Sequence, residues 1–165
     1  MAKKHTRRPA PKRRPVRGRR ANAQRTVGGP GRPQPRRPAG TDPLLAPVRG
    51  AERRTIGHVT LDVGRAGTAR VKRMIYPAGF RWSVDMKPAV GTELCMHAHV
   101  GFLARGEIHI EYADGCVVEH KAPQVIAIEP GHDGWVVGKE PVVLIEFDFE
   151  GDTVARLGMP TAHRH

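Results

Sequence analysis

Residues 107–119 read EIHIEYADGCVVE and contain the clearest structural signal in the chain. Apolar and polar residues alternate strictly over the first six positions, which places one set of side chains on each face of a β-strand. Asp114-Gly115 follows, and a second apolar run begins after Cys116. An Asp-Gly pair between two such runs is typical of the tight turn in an antiparallel hairpin. This stretch therefore predicts a β-hairpin.

The same texture, short apolar runs separated by turn residues, extends from Ile56 to Gly158. The further runs lie at residues 58–63, 69–76, 80–84, 125–128, 135–137 and 142–149. Their even spacing predicts about eight or nine short strands and no helix. Such a chain closes into a barrel or packs as two sheets, because exposed sheet edges pair readily with other chains. We predict one all-β domain at residues 55–158, followed by a loose segment at 159–165.

Residues 1–54 differ sharply in composition from the rest of the chain. They contain 17 Lys and Arg against two acidic residues, a net charge of +15, whereas residues 55–165 carry −3. The segment is also rich in Pro and Gly and cannot bury enough apolar surface to offset the entropy of ordering. We predict a disordered basic tail that contacts nucleic acid or another polyanion weakly and without sequence preference. A solubilising tail, a tail without a role and a misassigned start codon are the alternatives.

Neither membrane insertion nor secretion is expected. No run of 18 apolar residues is present, and the basic N-terminus is not followed by the apolar stretch of a signal peptide. The chain has only two cysteines, Cys95 and Cys116, which are too few for a disulfide framework. We therefore expect a cytoplasmic protein with reduced thiols and no membrane partner.

Metal-ligand side chains are concentrated in residues 91–101, GTELCMHAHVG. Four of them are spaced by two: Glu93, Cys95, His97 and His99. In an extended strand, side chains with this spacing all point to one face. A carboxylate, a thiol and two imidazoles are ligands for Zn, Fe, Ni, Cu or Mn. The spacing predicts a metal site, with a polar outer strand face as the alternative.

His132 follows the turn Pro130-Gly131 at the start of a predicted strand. This position can aim the imidazole into the mouth of a barrel, where small barrels hold ligands. A solvated loop position is the alternative. The other histidines of this half of the chain are predicted to have no role, two on the hairpin surface and two in the loose last segment: His109, His120, His163 and His165.

The stretch from Tyr76 to Phe149 resembles a small single-domain cupin. The strings that carry the resemblance are HVGFLARGEIHIEYADG at residues 99–115 and IAIEPGHDGWVVGKEP at residues 126–141. The resemblance implies a double-stranded β-helix, that is, a jelly-roll barrel, in which three histidines and one glutamate hold a metal ion. It also implies that the protein forms a homodimer.

The first cupin motif is a Gly, five residues, His-x-His, three or four residues, Glu, six residues and a closing Gly, and it fits this sequence in two registers. With Gly106 as the closing glycine of the motif, His99 occupies the position of the glutamate. With His97 and His99 as the His-x-His pair, the glutamate position falls on Leu103 or Ala104. Both registers depart from the pattern of three histidines and one glutamate.

Two classes of function follow from these residues and from the resemblance. The first is a protein that holds a divalent metal (Fe, Zn, Mn or Ni) and a small organic molecule inside the barrel. In one form of this hypothesis the protein is a metal-dependent enzyme that acts on that molecule. Its ligands would be His97, His99 and His132, with Glu93 or Cys95 completing the set. The second is a non-catalytic module that binds or senses a small molecule without metal, because one fold hosts both classes.

We predict that the chain binds polyanions only through its basic tail. Binding to DNA duplexes of unrelated sequence should weaken steeply as salt rises, because the contacts release counterions. No aromatic residue lies among the first 50 positions to stack on bases. Fluorescence anisotropy at increasing NaCl measures this, with a chain lacking residues 1–50 as the control. Binding that survives high salt or depends on sequence would contradict the prediction.

Overall fold

The computed structural model describes residues 42–165, so the predicted tail lies outside the described residues from position 1 to 41. The described chain forms β1 (Glu52–Ile56), β2 (Val59–Ala66), β3 (Ala69–Tyr76), α1 (Trp82–Asp85), α2 (Lys87–Val90), β4 (His99–Arg105), β5 (Glu107–Tyr112), β6 (Val117–Lys121), β7 (Gln124–Ile128), β8 (His132–Val137), β9 (Val142–Phe149) and α3 (Thr153–Leu157). This order of short strands confirms the predicted all-β class.

The strands form two antiparallel sheets around a common core. One sheet has the order β1-β2-β3-β9-β4-β7, and the other has the order β6-β5-β8. The chain crosses between the sheets after β4, so that strands distant in sequence, such as β3 and β9, become neighbours. Single backbone bridges from Arg81 to Trp135 and from Cys95 to His132 occupy the second edge of β8. This crossed connectivity is that of a jelly roll, and it confirms the predicted jelly-roll barrel.

The hairpin predicted at residues 107–119 is present as β5 and β6. Its strands pair with His109 opposite Glu119, and Gly115 adopts φ 83° in the turn. A left-handed backbone of this kind favours glycine, which explains the Asp-Gly signal. Ile108 and Ile110 point inward and are buried. The hairpin therefore supplies one wall of the barrel interior.

The prediction that the domain has no helix is wrong, because α1 and α2 follow β3. The run at residues 80–84, predicted as a strand, makes one bridge and then turns into α1. The Asp133 carboxylate stabilises this turn by accepting hydrogen bonds from the Ser83 backbone N–H at 3.0 Å and from its hydroxyl at 2.9 Å. Helices of four or five residues are too short to leave a helical periodicity in the sequence. None of the helices in residues 42–165 has the length and apolar character needed to cross a membrane.

Ordered structure begins before the predicted end of the tail. Arg53 in β1 forms a two-pronged ion pair with Asp62, with both contacts at 2.9 Å. The buried Arg73 contacts the same carboxylate at 2.5 Å and donates to the Pro43 carbonyl at 3.1 Å. Residues 42–54 therefore pack on the barrel, because their carbonyl oxygens and Arg53 complete a buried network of charges.

The last residues of the chain are also packed, although a loose segment is predicted there. The Thr153 hydroxyl in α3 accepts a hydrogen bond from the Phe149 N–H at 2.8 Å and so ties α3 to the end of β9. Further along, the His163 ring stacks on Tyr112 with centroids 3.8 Å apart and an angle of 7° between the ring planes. Residues 159–165 thus lie against the β5–β6 turn.

We predict that a chain beginning at Asp42 keeps the thermal midpoint of the full chain, whereas a chain beginning at Arg53 unfolds at a lower temperature. The shorter chain loses the carbonyl oxygens of Pro43 and Ala46, which both accept hydrogen bonds from the buried Arg73 guanidinium. Hydrogen bonds to charged groups contribute about 1.5–3 kcal/mol each, so the midpoint should fall by on the order of 10 °C. Melting followed by circular dichroism measures both chains. Equal midpoints would show that residues 42–52 do not stabilise the barrel.

Candidate metal centre

Cys95, His99 and His132 come together in the barrel interior. Cys95 precedes β4, while His99 and His132 are the first residues of β4 and β8. The Cys95 N–H donates to the His132 carbonyl at 2.7 Å, and the Gly131 N–H donates to the Cys95 carbonyl at 2.8 Å, which joins the two segments. All three side chains are buried, and one ligand atom of each lies within 4.8 Å of those of the other two. A thiol and two imidazoles are therefore within reach of one ion.

Hydrogen bonds on the far side of each imidazole fix its orientation. His99 Nδ1 donates to Glu146 Oε2 at 2.7 Å, and His132 Nδ1 donates to the Glu129 carbonyl at 2.6 Å. The Nε2 atom of His99 then faces Cys95 Sγ at 3.7 Å. Metal-binding histidines are held by outer hydrogen bonds of this kind, which select the tautomer and aim the free nitrogen. The donor set and its orientation thus fit a bound metal ion.

The charges of these groups depend on one another. Burial raises the pKa of the Cys95 thiol, but hydrogen bonds from His132 and His99 outweigh burial and lower this pKa to about 5. Burial lowers the pKa of His99, yet the negative charge of Glu146 and the contacts with Cys95 together outweigh burial and raise this pKa to about 10. Burial likewise raises the pKa of Glu146, and the charge and hydrogen bond of His99 together with the charge of Lys72 bring it down to about 2. At neutral pH Cys95 is therefore a thiolate, the form that binds metals.

Lys72 lies beside this group and is surrounded by acceptors. Its Nζ atom is 2.6 Å from Glu146 Oε1, 2.7 Å from Asp148 Oδ2 and 2.9 Å from His97 Nε2. Arg70 donates to the other oxygen of Asp148 at 2.8 Å. Buried carboxylates require such partners, because an isolated buried charge is strongly destabilising. Lys72 and Arg70 therefore balance the two acids of β9.

His97, another predicted ligand, lies at the edge of the cluster. Its ring centroid is 5.0 Å from that of His99, and its Nε2 atom faces Lys72. Burial lowers the pKa of His97 to about 4, and the positive charges of His99 and Lys72 act in the same direction. His97, His99 and Glu146 form a second set of ligand atoms within 4.8 Å of one another. The structure thus brings His97 near the centre but turns it toward the ionic network.

The expectation that Glu93 shares a face with the other candidate ligands is wrong. Its side chain is 87% exposed and contacts Lys87 Nζ at 2.5 Å. Residues 91–98 are not an extended strand, because Gly91 ends α2 in a left-handed conformation and only Cys95 forms a bridge. The two-residue period of a strand therefore does not apply, and Glu93 points into solvent.

Two histidines of the hairpin are predicted on the surface, and the prediction is wrong for His120. His109 is half-buried and contacts Glu107 Oε1 at 3.2 Å. His120 is buried opposite Ile108, and neither of its ring nitrogens has a hydrogen-bond partner. The alternating register of β6 sends this side chain inward, where burial lowers its pKa.

Sequence reasoning missed Glu146, the carboxylate that connects His99 to Lys72. The strand β9 reads VVLIEFDF, and in it Glu146 and Asp148 are buried while Phe147 is 54% exposed. A strand on the core usually places apolar residues inward and polar residues outward, and residues 146–148 of β9 reverse this pattern. Two acids spaced by two in an otherwise apolar strand were the available signal for an inward-facing polar site.

A cavity of about 370 Å³ opens beside the three ligands. Most of its lining is apolar and comes from both sheets and from α1, with Met74, Phe80, Trp82, Ile110 and Leu144 among the side chains. Cys95, His99, His132 and Lys72 line the same space. The candidate metal centre and the apolar walls therefore share one cavity.

No protein-family model and no curated protein matches the sequence. Among solved structures, the chain is similar to the cupin domain of Cnp3 from Schizosaccharomyces pombe, with 13% identity, a TM-score of 0.43, and 66% of this chain and 76% of that chain covered. A Cupin 2 conserved barrel domain protein from Salinispora arenicola is 13% identical over 69% of this chain and 94% of its own, with a TM-score of 0.46. An RmlC-like cupin from Shewanella frigidimarina is 16% identical over 59% and 81%, with a TM-score of 0.42. These similarities concern the backbone fold, and the site rests on the contacts described above.

We predict that Cys95 titrates as an acidic thiol in the metal-free protein. In a Cys116→Ser chain, the ultraviolet absorbance of the thiolate should rise with a pKa of about 5. His132→Ala removes a hydrogen bond that stabilises the thiolate, so it should move the pKa upward toward the value of a free thiol, about 8.5. His109→Ala is the control and should leave the titration unchanged. An ordinary thiol pKa in the parent would contradict the prediction.

Proposed function

We propose that the protein binds a divalent transition-metal ion through Cys95, His99 and His132, and a small organic molecule in the adjoining cavity. One observation carries this proposal. A thiol and two imidazoles, all buried, converge within 4.8 Å on the wall of a cavity of about 370 Å³. Burying polar groups beside an apolar space is unfavourable unless partners or ligands satisfy them, so such clusters are concentrated at functional sites.

This trio suits an ion better than the set that contains His97, His99 and Glu146. Both oxygens of Glu146 are engaged, Oε2 with His99 at 2.7 Å and Oε1 with Lys72 at 2.6 Å. Glu146 therefore acts as an outer group that orients His99. The Nε2 atom of His97 is likewise 2.9 Å from Lys72 Nζ, so an ion there would have to compete with a buried ammonium group.

The donor chemistry favours Zn²⁺, Fe²⁺ or Ni²⁺ within the predicted range of metals. Thiolate and imidazole ligands suit these ions, whereas Mn²⁺ is better matched by carboxylate, carbonyl and water oxygens. Three protein ligands leave a coordination position free for water or for the organic molecule. A bound ion would supply Lewis-acid polarisation of a carbonyl or carboxylate group, which is the property that an enzyme of this kind would use.

The cavity defines the organic partner by its size and lining. A volume of about 370 Å³ lies at the small end of ligand pockets, which range over about 300–1,000 Å³. The positive charge of Lys72 is balanced by Glu146 and Asp148, so it does not attract an anionic ligand of its own. The best match is a small molecule with an apolar body and one polar group directed at Cys95, His99 and His132.

A barrel that binds its ligand without metal is the second candidate. It is favoured by the way the polar groups satisfy one another, with Cys95 Sγ 3.7 Å from His99 Nε2 and His99 Nδ1 2.7 Å from Glu146 Oε2. This pairing of opposite charges needs no ion to be stable. In that case the cavity would bind small apolar molecules equally well in the presence and absence of a chelator.

We predict that Cys95→Ala, His99→Ala and His132→Ala each lower the metal content by close to one equivalent relative to the parent. Each ligand positions the others, and loss of an outer partner alone already weakens metal sites about 10–100-fold. Elemental analysis of chains without an affinity tag, reconstituted with Zn²⁺ and desalted, measures the content.

His109→Ala is the matched control for this comparison. His109 is also a strand histidine, but it is only half-buried and contacts Glu107 at 3.2 Å, so its loss should leave the metal content unchanged. Equal metal content in all four variants would reject the metal site. Ligand binding that persists in the variants would then support the barrel without metal.

The homodimer and the polyanion contact, both expected from the sequence, remain predictions. A homodimer is implied only by the resemblance to cupins, and the polyanion contact belongs to the basic tail, whose residues 1–41 lie outside the described range. Neither partner is needed for the cavity or for the proposed metal centre, because every group named in them belongs to residues 42–165 of one chain.

A further inference from the structure

A second group of metal-ligand side chains lies where residues 159–165 meet the β5–β6 turn. Its members are Cys116, His163 and His165, and one ligand atom of each lies within 4.8 Å of those of the other two. None of the three lines the cavity described above. Cys116 is a free thiol that is partly exposed, so the group is open to an ion from solvent.

Contacts on two sides hold the His163 imidazole in place. The ring stacks on Tyr112 with centroids 3.8 Å apart. Its Nδ1 atom is buried without a hydrogen-bond partner and lies 3.5 Å from Glu129 Oε2, an oxygen that already accepts the Tyr112 hydroxyl at 2.7 Å. Leaving a buried ring nitrogen unpaired is unfavourable. The stacking contact and the nearby Glu129 carboxylate therefore fix the position of the imidazole.

Asp114 orders the other two members of the group. Its Oδ1 atom accepts the Cys116 backbone N–H at 2.9 Å, and its Oδ2 atom lies 3.0 Å from His165 Nε2. A carboxylate that orients a ligating imidazole is a regular feature of metal sites. The turn of the hairpin thus positions the thiol and one imidazole through the same side chain.

We propose that Cys116, His163 and His165 bind a Zn²⁺ ion that fastens residues 159–165 to the β5–β6 turn. One thiolate and two imidazoles match the ligand preference of Zn²⁺, a water molecule would take the fourth position, and Asp114 would remain the outer group that orients His165. The ligands come from segments far apart in the sequence, so the ion would close a long loop. Its expected role is structural, because it binds the folded chain and stabilises it.

The test uses the full chain without an affinity tag, because a histidine tag would bind the same ions. Co²⁺ serves as the probe, since it replaces Zn²⁺ and gives an intense charge-transfer absorption when a thiolate binds it. Cys95→Ser removes the barrel thiol, so any such absorption in this variant comes from Cys116. We expect the absorption to saturate near one equivalent of Co²⁺ and to disappear when Cys116→Ser is added.

Variants of the two histidines show whether the thiol acts alone. On the Cys95→Ser background, His163→Ala and His165→Ala should each weaken Co²⁺ affinity by at least about 10-fold. His58→Ala is the control, an exposed histidine whose only charged partner among the described residues is Asp85, and it should leave the affinity unchanged. The Cys116→Ser variant keeps Cys95, so Co²⁺ absorption in this variant reports on the barrel site alone. The Cys95→Ser and Cys116→Ser variants therefore test the two sites separately.

Alkylation of Cys116 in the unsubstituted chain gives a readout that leaves the barrel intact. Peptide mass spectrometry should show that Zn²⁺ slows the reaction in the parent, and that His163→Ala or His165→Ala removes the protection. Absence of thiolate absorption in the Cys95→Ser variant together with an unprotected Cys116 would overturn the proposal. Equal Co²⁺ affinity in the histidine variants and the His58→Ala control would overturn it as well.

Discussion

The geometry of the barrel interior depends on the buried carboxylate of Glu146. This group is fully enclosed, and its two oxygens contact His99 at 2.7 Å and Lys72 at 2.6 Å. Because an enclosed carboxylate without partners is strongly destabilising, both cations must stay in place when the chain folds. Their other contacts follow from this. His99 presents its second nitrogen to Cys95, and Lys72 reaches Asp148.

Such a cluster is not the most stable way to fill a barrel. Apolar side chains of similar volume are often as stabilising as buried ion pairs, or more so. Ionised groups at the wall of an apolar cavity are therefore consistent with the proposed binding site and are not needed for stability. The charge states also suit this role. The pKa of Cys95 is about 5 and that of His99 is about 10, so at neutral pH the thiol is ionised and the proton on His99 Nε2 has to leave before that imidazole can bind an ion.

The parts of the structure that depend on local pattern were predictable, and those that depend on tertiary contacts were not. The hairpin at 107–119 follows from alternation and one turn, both of which are encoded within a few residues. Cys95, His99 and His132 could be predicted as candidate ligands from their residue types, and the structure places them together. Glu93 could not be excluded, since nothing in the sequence shows that residues 91–98 leave the extended conformation. Glu146 was missed because an acidic residue in an apolar strand is ordinarily assigned to the solvent-facing side of that strand.

The reversed pattern at residues 146–148 of β9 also affects how this sequence can be compared with others. Glu146 and Asp148 are buried and held by ion pairs, while Phe147 between them is exposed to solvent. Substitution should therefore be freer at the aromatic position than at the two acids, the opposite of what hydrophobicity suggests. Moving a strand by one residue turns every side chain to the other face. An alignment that rewards apolar matches will accordingly favour β9 in a register shifted by one residue, and will misplace the carboxylate that organises the site.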